Sequence, residues 1–373
     1  MASKLFGEAT GIWISARQCE KVTERISGQL EAERDEQTER FGTPEMPESS
    51  LHPVAVSVDD GKVRTRQEEA GPGVHGKEWK NHKAGLLMTV DREHHESDPE
   101  PEPPKSLTNR RRVEKLVAEL GRSHGEGEAA RREEASSGTE ETEKVPVARS
   151  SPKIIARSCI STHTKPKQFG RMVAAEAWRR GFFGAAYAVF LGDGNPGNWT
   201  IQEEYFPGWI PILDFIHLVE HLVEAARAAR GKERWSFYEE LLRAAWKGES
   251  VRVRERLEEE ARRLGEVPEG ADKNDPRRVL ARNIEYLRAN RERMDYGRVR
   301  KLGLPITTSH IESLIGVIDL RVKAANKLWC GRHVERVLQV RAAYLSTTAR
   351  WENFWATCGR KSLGRVRHSA RAA

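Results

Sequence analysis

An α/β fold with an all-α insertion is the prediction for this chain, and three observations make it. Val54, Val56 and Val58 alternate with Ala55, Ser57 and Asp59, the period of a strand. AAYAVFLGD (185–193) and WIPILDF (209–215) are short apolar runs of the buried-strand type. From 233 to 300 the period is helical throughout: Tyr238, Leu241, Leu242 and Ala245 fall on one face, as do Val279, Leu280, Asn283, Ile284 and Leu287.

Taken in order, residues 1–50 read as a largely helical, charged segment ending in a loop around TPEMPESS (43–50). The alternating stretch 54–59, its continuation KVRTRQEE (62–69) and the apolar run HKAGLLMTVD (82–91) predict an antiparallel meander with short glycine-containing turns. REHHESDPEPEPPKSLTN (92–109) and the polar stretch 121–150 hold too little apolar material for a core and are expected to be mobile surface loops. A helix is expected over 167–180, and another from Asp214 onward, with Asp214 as its N-cap and His217 in its first turn. The boundaries that follow are 51–232 for the first part of the core, 233–300 for the insertion, 301–355 for the last part of the core and 356–373 for a tail.

The composition narrows the function classes. The chain has 373 residues, a net charge of +7 and four widely separated cysteines without a CxxC pair, which argues against a zinc ribbon or a disulfide framework. The longest apolar stretch (182–192) is too short to span a bilayer and the N-terminus lacks an apolar h-region, so a cytoplasmic protein without membrane contact is expected. The tail carries Arg360, Lys361, Arg365, Arg367 and Arg371 and no acid. Such a run either favours polyanions by counterion release or serves as a solvated end.

Three acids occupy positions at which strand or helix ends expose chemistry. Asp59 ends the alternating run, Asp193 ends an apolar strand, and Glu312 lies in the first turn of a helix starting near Ser309. Carboxylates are the hard donors that divalent cations require, and metal-assisted phosphoryl transfer is the matching reaction class. Each acid also has a local structural reading. Asp59-Asp60-Gly61 and Asp193-Gly194 are turn sequences, and Ser309-x-x-Glu312 fits a capping box. His217 and His221 are spaced to share a metal on one helix, but no third nitrogen or sulfur ligand has a matching spacing.

The ordered motifs VSVDDGKVRTRQ, VFLGDGNPGNW, YFPGWIPILDFIHLVEHL and LPITTSHIESLIGVIDLRVK together resemble the transposases of ISKra-type insertion sequences, which are allied with the Mutator-like group of DDE transposases. The resemblance runs from about residue 5 to 355 and thins over 92–150. It implies a ribonuclease H-like fold: a mixed five-stranded sheet with flanking helices and a helical insertion before the last acid. It also implies a metal-binding catalytic triad of Asp59, Asp193 and Glu312 holding two Mg²⁺ ions, with Mn²⁺ able to substitute. Asp214 and His217 match the accessory D-x-x-H element that follows the fifth strand. The family pattern Asp-Gly-Gly reads Asp59-Asp60-Gly61 here, which leaves Asp60 as the less favoured candidate.

The implied activity is DNA cleavage and strand transfer on double-stranded DNA, by a homo-oligomer when paired element ends are bound and nucleoid-associated in that state. Lys62, Arg64, Arg66, Arg321 and Lys323 are candidates to neutralise DNA phosphates, or else ordinary solvated surface. Trp329, Trp351, Phe354 and Trp355 either stack on splayed bases or pack in the core. A complete member of the family carries further helical sequence upstream. Residues 1–50 are therefore expected to be the remnant of a DNA-binding region in an N-terminally truncated copy. The alternatives are an inactive DNA-binding remnant and a stand-alone nuclease of the same fold.

Overall fold

The computed structural model describes residues 8, 10, 11, 13–43, 47–66, 77–124, 151–323 and 328–357. Helix α1 (Ala16–Arg40) starts at a capping box in which Ser15 and Gln18 exchange hydrogen bonds. Strands β1 (Val54–Arg66) and β2 (Lys77–Asp91) follow, then α2 (Lys105–Thr108), α3 (Arg110–His124) and β3 (Lys153–Thr162). Next come α4 (Pro166–Arg179), β4 (Ala188–Gly192), α5 (Pro196–Tyr205), β5 (Ile210–Leu213) and α6 (Phe215–Arg230). Helices α7 (Arg234–Lys247), α8 (Ser250–Leu264), α9 (Pro276–Ala289) and α10 (Tyr296–Lys301) fill the predicted all-α stretch. Helices α11 (Ser309–Val322) and α12 (Gly331–Leu345) complete the order, with a further helical stretch at 350–357.

The sheet is mixed and five-stranded in the order β3-β2-β1-β4-β5. β1–β2 and β2–β3 pair antiparallel, whereas β1–β4 and β4–β5 pair parallel. Its central strand is β1, so Val54 through Val58 are buried on both faces rather than on one.

Strand parity sets the layers. Gly85 lets α4 approach β2, since a Cβ there would lie 2.8 Å from Val173. Three positions earlier, on the opposite face, His82 meets Asp319 of α11 at 3.0 Å. Helices therefore cover both faces. The odd-numbered residues of β1, Asp59 among them, share the α11 face with His82, while Val54, Val56 and Val58 face the α4 side. One apolar core runs from the sheet through the helical stretch 234–301. In it Phe215 meets Trp246 and Tyr296 edge-on at 4.9 and 4.8 Å.

Several expectations need correction. The Asp59-Asp60-Gly61 turn does not form: β1 runs straight through it, with Asp59 opposite Ala84 and Gly61 opposite His82. The glycine serves a close approach instead, because a Cβ at Gly61 would lie 2.1 Å from the His82 ring. The third strand of the meander is KIIARSCIST, which the sequence reading passed over; its buried residues cluster in the second half, so it shows little alternation. The segment 92–109 is not a free loop. Asp98 accepts from Arg300 at 3.0 Å, the Trp246 indole donates to the Glu100 carbonyl at 2.6 Å, and Tyr238 donates to the Leu107 carbonyl at 2.9 Å. Its acids and carbonyls thus find buried donors on the helices, a pairing no composition rule anticipates. Residues 125–150 and 358–373, with most of the second expected loop and of the basic tail, lie outside the described residues.

Candidate active site

The two strands that carry the first two acids are parallel neighbours, with Ser57 beside Leu191. Continuing that register by two residues sets Asp193, just past the carboxyl end of β4, next to Asp59, which lies midway along β1 rather than at a strand end. Helix α11 crosses β1 on the Asp59 face and brings Glu312 to the same region. All three carboxylates are half-buried.

Their mutual influence is marked. Burial and the charge of Asp193 push the Asp59 carboxyl up to about 7, with Glu312 adding to the rise; the Asp60 amide and His217 oppose it. Glu312 is also raised, by burial and then by Asp214, with Asp193 contributing; His217 and Thr308 counteract them.

Each acid is held by one oxygen. Asp59 Oδ1 accepts from the Asp60 amide at 2.7 Å. Asp193 Oδ1 accepts from the Asn195 amide at 3.0 Å and from the Asn198 side chain at 2.8 Å. Glu312 Oε1 accepts from the Thr308 hydroxyl at 3.0 Å. Among the described residues, no donor reaches Asp59 Oδ2, Asp193 Oδ2 or Glu312 Oε2. The three carboxylates feel one another's charge and each keeps an oxygen without a donor, which suits a divalent cation that removes the repulsion and takes hard oxygen ligands, although their ligand atoms do not gather within 4.8 Å of one another. The residues therefore fit the magnesium that the sequence resemblance implies.

Asp214 and His217 play a different part. Asp214 is buried and fully used: Oδ1 accepts from the Thr308 amide at 2.7 Å, and Oδ2 accepts from the His217 amide at 2.8 Å and faces His217 Nδ1 at 2.7 Å. Burial disfavours a charged imidazole, but Asp214, Glu312 and Asp193 outweigh it and push His217 up to about 10. Its Nδ1 lies 3.8 Å from Glu312. Asp214, His217 and Glu312 bring ligand-type atoms within 4.8 Å of one another. A protonated histidine is a poor ligand, however, and Asp214 and His217 are better described as an ion pair beside Glu312. The possible His217–His221 metal pair does not form: His221 Nδ1 turns to Asn283 at 2.8 Å and its ring stacks on Tyr286.

The capping box at Ser309 is absent. Thr308 is the N-cap of α11, and Glu312 reaches the Thr308 hydroxyl rather than a backbone amide. Asp193-Gly194 does form the expected turn, with Gly194 at φ +91°, and the turn itself presents the carboxylate. Asp60 is engaged elsewhere, paired with Lys83 at 2.9 Å.

The candidate phosphate contacts are less well placed. Lys62, Arg64 and Arg66 alternate onto the face of Asp60, away from Asp59, and the Arg64 guanidinium sits over Trp79. Arg321 and Lys323 lie nine and eleven residues along from Glu312, roughly 14–17 Å of helix rise, and Lys323 is paired with Asp319. Of the aromatics, Phe354 is buried against Trp351, and the Trp329 indole donates to the Val322 carbonyl at 2.8 Å, so packing is their role here.

Sequence reading missed Asn198, whose amide bridges Asp193 to the Val58 carbonyl at 2.8 and 3.4 Å. Its signal was present: Asn195 as N-cap and Pro196 at the first position start a helix whose first turn carries Asn198. Thr308 and Tyr286 had no such signal. No protein-family model and no curated protein matches this chain. Among the described residues, no helix is long and apolar enough to cross a membrane.

Proposed function

We propose that the chain is a DDE-type transposase of ribonuclease H-like fold, acting in divalent-cation-dependent cleavage and strand transfer of double-stranded DNA. The observation that carries this reading is the electrostatic coupling of Asp59, Asp193 and Glu312, remote in sequence, across two neighbouring parallel strands and the helix that covers them, with one undonated oxygen each. The order of those acids and the helical stretch before the last of them agree with the resemblance in sequence.

Asp59, Asp193 and Glu312 would hold the magnesium ions. Bound there, such ions supply Lewis-acid charge that favours the attacking hydroxyl as an oxyanion and stabilises the departing oxygen. The protein contributes positioning. Asn198 and the Asn195 amide orient Asp193, the Asp60 amide orients Asp59, and Thr308 orients Glu312. His217, kept cationic by Asp214, sets a fixed positive charge beside Glu312.

The test is a plasmid assay with the DNA that flanks the gene, in Mg²⁺. The parent chain should cut and join, while Asp59→Ala and Glu312→Ala do neither yet bind DNA with the same salt dependence. If both variants cut as well as the parent, the reading fails. Binding without any cutting by the parent would make the chain a DNA-binding remnant, and cutting without joined product a nuclease.

A further inference from the structure

The helical stretch 234–301 reaches the acid cluster through Tyr286 of α9. Its hydroxyl donates to the backbone carbonyl of Asp193 at 3.1 Å. The ring fills the space over Gly194, where a Cβ would lie 2.6 Å from both Cε2 and the phenol oxygen. Gly194 adopts φ +91°, so this turn admits the ring only because the residue after Asp193 has no side chain.

Tyr286 is itself fixed from behind. The His221 imidazole stacks on it with centroids 3.6 Å apart and planes 18° from parallel. Asn283 sets the tautomer of His221. The Asn283 amide nitrogen already donates to Glu224 at 3.0 Å and to the Val279 carbonyl at 2.9 Å, which leaves its oxygen to accept from His221 Nδ1 at 2.8 Å. Burial lowers the His221 pKa, so a neutral ring lies flat on the phenol. The result is a stack from Asn283 through His221 and Tyr286 to the turn that presents the Asp193 carboxylate.

We infer that Tyr286 is a positioning residue for cation binding: by holding the Asp193 carbonyl it fixes the carboxylate of Asp193 relative to Asp59, so that the helical stretch completes a site built on the sheet. The inference rests on the cation-site reading given above. Partners that orient metal ligands typically account for 10–100-fold in metal affinity when removed.

The test is Mn²⁺ binding to the whole chain, followed by electron paramagnetic resonance of the free ion and by calorimetry, with thermal unfolding measured free of cation. Tyr286→Phe keeps the ring and the stack but removes the donor. It should weaken Mn²⁺ binding about 10-fold, raise by a similar factor the Mg²⁺ concentration for half-maximal DNA cleavage, and recover at saturating Mg²⁺. Tyr205→Phe is the control: it removes an equivalent bond, to the Lys167 carbonyl at 3.1 Å, on α5, and should leave Mn²⁺ affinity unchanged. Mn²⁺ affinity of Tyr286→Phe equal to the parent's overturns the inference. A Tyr286→Phe chain that fails to fold does so too, by assigning the phenol to the stability of the helices. If the parent binds no Mn²⁺, or Asp59→Asn binds it as well as the parent, the cation-site reading itself has failed and this inference falls with it.

Discussion

Two groups of half-buried or buried acids flank the same sheet, and the protein treats them in opposite ways. Near the outer edge at β3, Glu335 of α12 accepts from Arg34 at 2.6 Å, from Thr162 at 2.9 and 3.0 Å, from the His163 amide at 3.0 Å and from Gln339 at 2.8 Å. Burial alone would raise its pKa, but His163 and Arg34 bring it down to about 2. Glu176 of α4 follows the same pattern: Arg179 and Gln37 overcome complete burial and hold it at about 2. Where β4 ends beside the middle of β1 the acids feel one another's charge with one donor-bound oxygen each, and burial and Asp193 raise Asp59 to about 7. Acids that hold a fold are saturated with donors. Acids left short of donors beside like charges cost stability, and such strain is expected where a ligand is to be bound.

Substitutions separate the two groups most strongly through activity. Asp59→Ala, Asp193→Ala or Glu312→Ala should each lower Mg²⁺-dependent strand transfer on the order of 10³-fold, read as joined product per unit time, while Glu335→Gln at the fold-holding cluster leaves the rate of the folded fraction close to that of the parent. Stability reverses the order. Glu335→Ala removes the buried acceptor shared by Arg34, Thr162, His163 and Gln339, while Arg34 keeps Asp35 at 2.8 Å, and should destabilise the chain by about 1–3 kcal/mol, measured by urea unfolding. Asp59→Asn, which removes a crowded charge, should instead stabilise the cation-free protein by about 1–2 kcal/mol, allowing for solvent screening of a half-buried group. An unchanged or lowered urea midpoint for Asp59→Asn would falsify the claim that burial and neighbouring charge penalise the Asp59 carboxylate.

The pH response gives the smallest effect and the clearest sign. Glu335 and Glu176 have folded values of about 2 against ordinary values of 4.5, so their contribution is present above pH 4.5 and is lost as pH falls toward 2. Asp59 runs the other way. Its folded value of about 7 lies above the ordinary 3.8, so its protonated form favours folding at low pH and that contribution is lost as pH rises through 7. The stability gap between Asp59→Asn and the parent should therefore be absent below about pH 4, open toward pH 7, and close again in millimolar Mg²⁺. Thermal melts across pH, with and without the cation, read all three stages.

Much of the architecture was legible locally. The alternation over 54–59, the buried runs before Gly192 and Leu213, the N-cap at Asp214 and the stripe Ile311, Leu314, Ile315 and Ile318 all lie where their periods place them, because each is a short-range pattern of side-chain direction. Local rules went wrong where a distant partner outweighed them. Asp59-Asp60-Gly61 has hairpin chemistry, yet pairing with β2 holds it extended and His82 takes the space that the glycine leaves. KIIARSCIST lacks clean alternation because its start is open and its end is covered by α12, a burial gradient invisible without α12. The 92–104 strap looks like loop by composition and is tied down by Arg300 and Trp246, some two hundred and one hundred and fifty positions later.

The candidate site divides along the same line. Residue chemistry and order along the chain were enough to nominate Asp59, Asp193, Glu312, Asp214 and His217. Their electrostatics, the undonated oxygens, the exclusion of Lys62, Arg64 and Arg66 from the Asp59 face and the reach of Tyr286 to Asp193 came from packing. Side-chain type and period are properties of neighbours in sequence, whereas a pKa, a free lone pair or a clamp depends on which distant groups folding brings within a few ångströms.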